Sequence, residues 1–263
     1  MREIDMREIT VGAAHVPYRV MGEGRPLVLV HGGSPGSKAW DGVAGAFTGT
    51  STVVLPDLSG SDAARDDGSE LTVELLVEQV AAVISDLGEG PADVVGHSMG
   101  ASVVAALAAV RPDLVRSVVS VTGWAGRGDA YLRNAFTVWR DLAGDGDTFA
   151  RYTMLIAFSR EHLASIGPAA VAELATAFRP HAGRLRQIDL ASRLDVRDLL
   201  PRIQAPTLVI GCARDTLISA EYSRELAAAI PGASYEEVDS GHIVMAERPT
   251  ELVKLVRDFI HTG

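Results

Sequence analysis

The sequence predicts an α/β protein: a mostly parallel sheet of eight strands, flanked by helices, with a helical insertion after the sixth strand. Three observations predict it. Short apolar runs alternate with amphipathic stretches in the first half of the chain and again near its end. The alternation stops between Trp124 and Pro201, where no clear strand can be read. A glycine-flanked serine, Gly96-His97-Ser98-Met99-Gly100, stands between an apolar run and a small-residue run. Strands and helices alternating at this spacing build parallel sheets with right-handed crossovers.

The elements follow in order. Residues 9–12 and 15–21 read as two short strands joined by a turn. Leu27-Val28-Leu29-Val30 is a continuous apolar run, suited to a strand buried on both faces. Helix-like sequence then extends to residue 47, and Thr52-Val53-Val54-Leu55 is a further strand. Over 71–87, Leu71, Leu75, Val80, Val83, Ile84 and Leu87 fall largely on one helical face. Ala92-Asp93-Val94-Val95 and residues 115–121 supply two more strands. Helical pieces are expected at 131–142, 149–158, 169–178 and 195–203. The alternation resumes with a strand at 207–211, a helix at 220–230, a strand at 233–238 and a closing helix at 249–260. Residues 1–123 and 202–263 thus form a core domain, and 124–201 a helical lid.

Composition bounds the function. The chain has 263 residues, 47% hydrophobic and 22% charged, which is ordinary for a globular protein. Its formal charge is −10 and it has no basic run, which argues against nucleic acid as a partner. The single cysteine, Cys212, permits no internal disulfide, so a cytoplasmic location is expected. The N-terminus shows no signal-peptide apolar region, and its repeat of Met-Arg-Glu-Ile makes Met6 an alternative start. No apolar run reaches membrane-spanning length. Arginine greatly outnumbers lysine, which is present only as Lys38 and Lys254, and this reads as a GC-rich bacterial genome.

Strand, Gly-x-Ser-x-Gly turn and helix together form a nucleophile elbow, which exposes the serine at the end of a sheet. Ser98 is therefore the candidate nucleophile. A serine hydroxyl needs a base to take its proton, and the base needs a carboxylate to orient it. Among seven histidines, His242 follows the last strand on the sheet edge where the elbow opens. Asp215 follows the 207–211 strand on the same edge. Asp239 lies too near His242 along the loop, and Asp57 precedes the serine. The order Ser98, Asp215, His242 fits this architecture. Oxyanion donors are expected from the backbone N–H groups of Met99 and Gly33, with Ser34 as second choice. His31 is expected to brace its loop, and His97 to point away from the elbow tip. Arg214 reads as a surface ion pair, and no residue spacing suggests a metal or cofactor.

These features together resemble the α/β-hydrolase fold superfamily, in its lid-bearing serine esterase, lactonase and peroxidase-like branch. The resemblance rests on His31-Gly32-Gly33, the strand end at Asp57, the elbow, the strand leading to Asp215, and Gly241-His242 followed by Glu247-Arg248-Pro249. It spans nearly the whole chain except the lid. Leu58-Ser59-Gly60-Ser61-Asp62 departs from the Arg-Gly-His-Gly-like turn usual after the Asp57 position, and Leu217-Ile218-Ser219 replaces a common proline.

The resemblance implies a serine hydrolase acting on a carboxylic ester or lactone through an acyl-enzyme. Carbon–carbon bond cleavage, perhydrolysis, cofactor-free oxygenation, elimination and non-enzymatic ligand binding remain as alternatives on the same scaffold. Eight of the fourteen aromatic residues fall in the lid. More than half are expected to make the lid's own core, with Trp124, Trp139, Tyr152 and Phe158, together with Ser34, as candidates to bind the substrate. That richness points to a medium-sized, largely apolar or cyclic small-molecule substrate. Oligomeric state cannot be read from these residues.

Overall fold

The computed structural model describes residues 4–33 and 36–262. Met1–Glu3 and the second-choice donor Ser34 therefore lie outside the described residues. The chain runs β1 (Asp5–Val11), β2 (Ala14–Met21), β3 (Arg25–Val30), α1 (Asp41–Ala44), β4 (Ser51–Pro56), α2 (Val73–Leu87), β5 (Ala92–His97), α3 (Met99–Val110) and β6 (Val115–Val121). Four helices follow: α4 (Ala130–Asp141), α5 (Gly146–Ala157), α6 (Arg160–Ala175) and α7 (Ala182–Arg193). Then come β7 (Thr207–Cys212), α8 (Ala220–Ala229), β8 (Ser234–Val238), α9 (Val244–Glu247) and α10 (Pro249–Thr262).

The eight strands form one sheet in the order β1-β2-β4-β3-β5-β6-β7-β8. β1 and β2 pair antiparallel, as do β2 and β4, and every other pairing is parallel. The continuous apolar runs have a direct cause. In β3, Val28 and Val30 pack with α2 and α3 on one face, while Leu27 and Leu29 pack with α1 and α10 on the other. Both faces are covered over residues 27–30, so apolar residues fill that run, while Arg25 at the start of the strand is exposed. No helix among the described residues is long and apolar enough to cross a membrane.

Local signals set the helix ends. Thr72 caps α2 by accepting the Leu75 N–H, and Gly88 ends it in the left-handed region. Asp129, Asp145 and Ser159 cap α4, α5 and α6 in the same way. Gly167, at φ 77°, breaks α6 just before Pro168.

Two sequence expectations in the insertion are corrected. Around 195–203 there is only a short 3₁₀ turn, Leu200–Arg202. The fourth helix is instead α7, which the sequence reading missed. Its buried face carries Arg184 and Gln187, so it shows no apolar stripe. Arg184 donates from its two terminal nitrogens to the carbonyl oxygens of Arg179 and Ala177, its Nε has no hydrogen-bond partner among the described residues, and burial pushes its guanidinium down to about 10.

α3 lies close against the sheet. A Cβ at Gly96 would stand 2.2 Å from the Gly100 carbonyl oxygen, and one at Gly100 would stand 2.4 Å from that of His31. These neighbours are backbone and cannot rotate away. Gly96→Ala is expected to cost at least about 2 kcal/mol of stability by overpacking. Urea unfolding midpoints of the variant and wild type measure this, and equal midpoints would show that α3 can shift without cost.

Candidate active site

Ser98 sits between β5 and α3 with φ 56° and ψ −125°. A side-chain-bearing residue in such a conformation stores about 1–3 kcal/mol, which the surroundings must offset. The Ser98 N–H donates to Val121 O at 2.8 Å, and its carbonyl accepts the Ala101 N–H at 2.9 Å. A Cβ on Gly32 would stand 2.8 Å from the Ser98 Cβ, so the loop after β3 passes hard against the serine.

The structure brings together the three side chains that the sequence singles out. His242 Nε2 lies 2.9 Å from Ser98 Oγ, and His242 Nδ1 lies 2.6 Å from Asp215 Oδ2. The remaining oxygen, Asp215 Oδ1, accepts the N–H groups of Leu217 and Ile218 at 2.9 and 2.8 Å. Both carboxylate oxygens are thus committed, and the Asp215 side chain is fully buried. A carboxylate held this way orients the imidazole through Nδ1–H and leaves Nε2 free to accept the serine proton.

The other candidates separate by their partners. His31 Nδ1–H donates to Gly32 O at 2.6 Å, while Nε2 accepts the Leu58 N–H at 3.0 Å. It is a neutral brace between two loops, and burial holds its pKa below the usual histidine value. Asp57 accepts both the N–H and the hydroxyl of Ser37 at 2.8 Å, which fixes the chain after the Gly33 turn. Arg214 pairs with Asp239 and Glu161 on the surface. His97 departs from expectation, because it lines the cavity at Ser98. Its Nε2–H donates to His242 O at 2.9 Å.

Glu247, whose position the sequence reading did not single out for the site, has a defined task. Its buried carboxylate accepts the Ser159 N–H at 2.7 Å, the Ser159 hydroxyl at 2.6 Å and the Gly241 N–H at 3.0 Å. It clasps the start of α6 to the loop carrying His242. The Ile243 N–H donates to Ala157 O at 3.0 Å beside it, and Thr216 Oγ1 donates to Leu155 O at 3.2 Å. The end of α5 therefore touches the loops of both the histidine and the aspartate.

Ser98 and His242 open into a small cavity. About 40 Å³ of it is open to the centre of a water-sized sphere, room for about three waters. Gly33 and Met99 line it with Ser98. The Met99 N–H belongs to the first turn of α3, where helix N–H groups lack intrahelical partners. Among the described residues a Cβ at Gly33 would meet nothing within 4 Å, whereas one at Gly32 would crowd Ser98 and His97.

Trp124 and Trp139 line the cavity, with Phe136, Phe178, Ile156 and Leu217. Tyr152 and Phe158 stand outside its lining. The Tyr152 hydroxyl donates to Ala135 O at 3.2 Å, and Phe158 packs between His162 and Phe178. Both turn inward to the insertion's own packing because the cavity side of α5 presents Thr153, Ile156 and Ala157. A larger groove, about 670 Å³ by the same measure, lies between α5 and α6. It contains none of Ser98, His242 and Asp215, so the smaller cavity is the candidate site. Among the described residues, no group of three or more His, Cys, Asp or Glu side chains is placed to hold a metal ion.

Comparison with known proteins places this geometry. The pattern of the α/β-hydrolase fold family matches residues 25–249. A pyrrolizixenacetamide deacetylase from Xenorhabdus hominickii is 35% identical over 260 residues, covering 97% of this chain and 98% of that protein. The enol-lactonase from Burkholderia xenovorans LB400 superposes with a TM-score of 0.87 at 24% identity, over 97% of this chain and 100% of its own. A thermophilic esterase from Thermogutta terrifontis gives 0.85 at 22%, over 98% of each chain.

His97 carries a pH signature. Burial, reinforced by the neighbouring His242, pushes its imidazole down to about 3. In the unfolded chain it takes a proton near pH 6.5. The unfolded state therefore binds more protons, and stability present above pH 6.5 is lost as pH falls toward 3. The slope from this group reaches about 1.4 kcal/mol per pH unit. His97→Gln keeps an N–H donor and is expected to flatten the pH dependence by that amount between pH 6 and 4. Denaturant unfolding at stepped pH measures it, and an unaltered slope would place the acid sensitivity on other groups.

Proposed function

This chain belongs to the α/β-hydrolase fold family and is an α/β-hydrolase enzyme; from that premise we propose that it is a serine hydrolase moving a small acyl group to water through Ser98, His242 and Asp215. One observation carries the reading. Ser98 Oγ, the His242 ring and the Asp215 carboxylate form an unbroken hydrogen-bonded line at 2.9 and 2.6 Å, buried beside a cavity.

Ser98 Oγ attacks the substrate carbonyl while His242 Nε2 takes its proton. Asp215 holds Nδ1–H and stabilises the imidazolium that forms. The N–H groups of Met99 and Gly33 receive the oxyanion. As the tetrahedral intermediate collapses, the proton on Nε2 passes to the leaving group and the acyl group stays on Ser98. A water then gives its proton to Nε2, its oxygen attacks the acyl carbon, and the acid departs as Ser98 regains its proton.

The substrate class follows from size and lining. A small cavity walled by Trp124, Phe136, Trp139 and Phe178 suits a short apolar acyl group. A carboxylic ester or a lactone is the default carbonyl, with an apolar or cyclic group on the leaving side. The deacetylase relative supports an acetyl group as the acyl part and extends the reading to amides. Residues 124–201 act as a lid over the strand ends, and the cytoplasm is a fitting location for a protein whose one cysteine is free and buried.

A fluorophosphonate is expected to label Ser98 in the folded protein. Ser98→Ala should abolish labelling, and Asp215→Asn should lower kcat for a short-chain nitrophenyl ester by about 10⁴-fold. Circular dichroism confirms that each variant is folded. A folded wild type that takes no label and turns over no ester, lactone or amide in a broad panel would sink the proposal. Full activity in Asp215→Asn would hand the acid's role to another carboxylate.

A further inference from the structure

The reaction proposed for Ser98 makes no use of the larger groove between α5 and α6, which holds about 670 Å³ of space. Phe158 and Ser159 alone join the two helices, so the chain reverses there. At the far end Arg179, just past α6, pairs with Asp147 at the start of α5, at 2.6 Å. The trough between is apolar. Ala150, Met154 and Leu155 form one wall, and Leu163, Val171 and Ala172 the other. Gly167 leaves the second wall open, because α6 breaks there and a Cβ on it would meet nothing within 4 Å. Leu155, at the edge, is 66% exposed. Contiguous apolar surface left in water, rimmed by polar groups, marks a place where something binds.

The charges on this groove are unequal. Three ionisable side chains line it: Asp147, Arg151 and Arg179. Asp147 and Arg179 neutralise each other. Arg151 is exposed and makes no hydrogen bond or ion pair among the described residues. Helical side chains lean toward the N-terminus of their helix, and Arg151 follows that rule. Together with Thr148, which acts more strongly, it holds the carboxyl of Asp145 at the N-cap below its usual value. Asp145 is itself committed to the cap, accepting the Asp147 and Thr148 N–H groups and the Thr148 hydroxyl. The groove therefore has an unpaired cation toward the start of α5 and bare aliphatic wall at Leu155.

We infer that this groove is a second binding site, for a free medium-chain fatty acid whose carboxylate meets Arg151 and whose chain lies along the trough toward Leu155. Length, polarity and charge all match. From Asp147 to Leu155 the helix advances about 12 Å, which an extended chain of about ten carbons covers. One free guanidinium takes one carboxylate through charge-assisted hydrogen bonds. A lipid surface is a poorer match, because a chain of formal charge −10 is repelled by anionic membranes. The inference does not depend on the reading of Ser98.

Isothermal titration calorimetry of the full chain with sodium decanoate tests it. One decanoate per chain is expected. Affinity should rise about tenfold from octanoate to decanoate, for two further buried methylenes, and gain nothing more at tetradecanoate, which overruns the trough. Arg151→Gln should bind decanoate about tenfold more weakly, the loss of one charged hydrogen bond, and bind octan-1-ol as the wild type does. Ala172→Trp, at an exposed position on the wall, fills the trough and should remove binding. Circular dichroism confirms that each variant is folded; if Ala172→Trp is not, Ala164→Trp, at a second exposed lining position, replaces it. A wild type that binds no decanoate overturns the inference, as does an Arg151→Gln variant of equal decanoate affinity. Binding that survives the tryptophan variant overturns it too, by placing the fatty acid elsewhere.

Discussion

The contact on which the rest depends is the approach of α3 to the sheet through Gly96 and Gly100. A Cβ on either would collide with backbone. That approach lets the chain reverse at Ser98 with φ 56° and puts the serine at the carboxyl edge of a parallel sheet. The strained turn is held by hydrogen bonds to β6 and within α3, and by the packing of Gly32 beneath it. Strain of this kind persists only where neighbours over-determine it. Here they are two strands and a helix, all buried.

The same edge receives the loops after β7 and β8, which deliver Asp215 and His242. Neither loop stands alone. Glu247 ties Gly241 to Ser159, the Ile243 N–H reaches Ala157, and Thr216 reaches Leu155. The helical insertion is therefore joined by hydrogen bonds to the residues that flank His242 and Asp215 in their loops, Gly241, Ile243 and Thr216.

Electrostatically, the surroundings of Ser98 are quiet. His31 and His97 are buried beside His242 and kept neutral by that burial. The wall is aromatic and aliphatic. The His242–Asp215 pair is buried, and in such a setting a fixed carboxylate supports an imidazolium far more than it would in water.

Much of this was legible in the amino-acid order. Strands buried on both faces must read as unbroken apolar runs, the elbow must carry glycines, and chain order fixes which loops share a sheet edge. The fold class, Ser98, Asp215 and His242 could all be named from such local patterns. What stayed hidden depends on contacts between distant segments. α7 escaped notice because Arg184 and Gln187 are buried through pairing with carbonyls, which no periodicity reveals. Tyr152 and Phe158 look like pocket residues by type, yet only the rotation of α5 decides that Thr153, Ile156 and Ala157 face the cavity instead. Glu247 reads as an ordinary charge until Ser159 and Gly241 are seen to converge on it. The sequence by itself determined the scaffold and the candidate residues Ser98, Asp215 and His242, because both follow from periodicity and order. The tertiary structure alone decided the lining of the cavity, because its walls come from residues far apart in the chain, from Gly32 to Ile243.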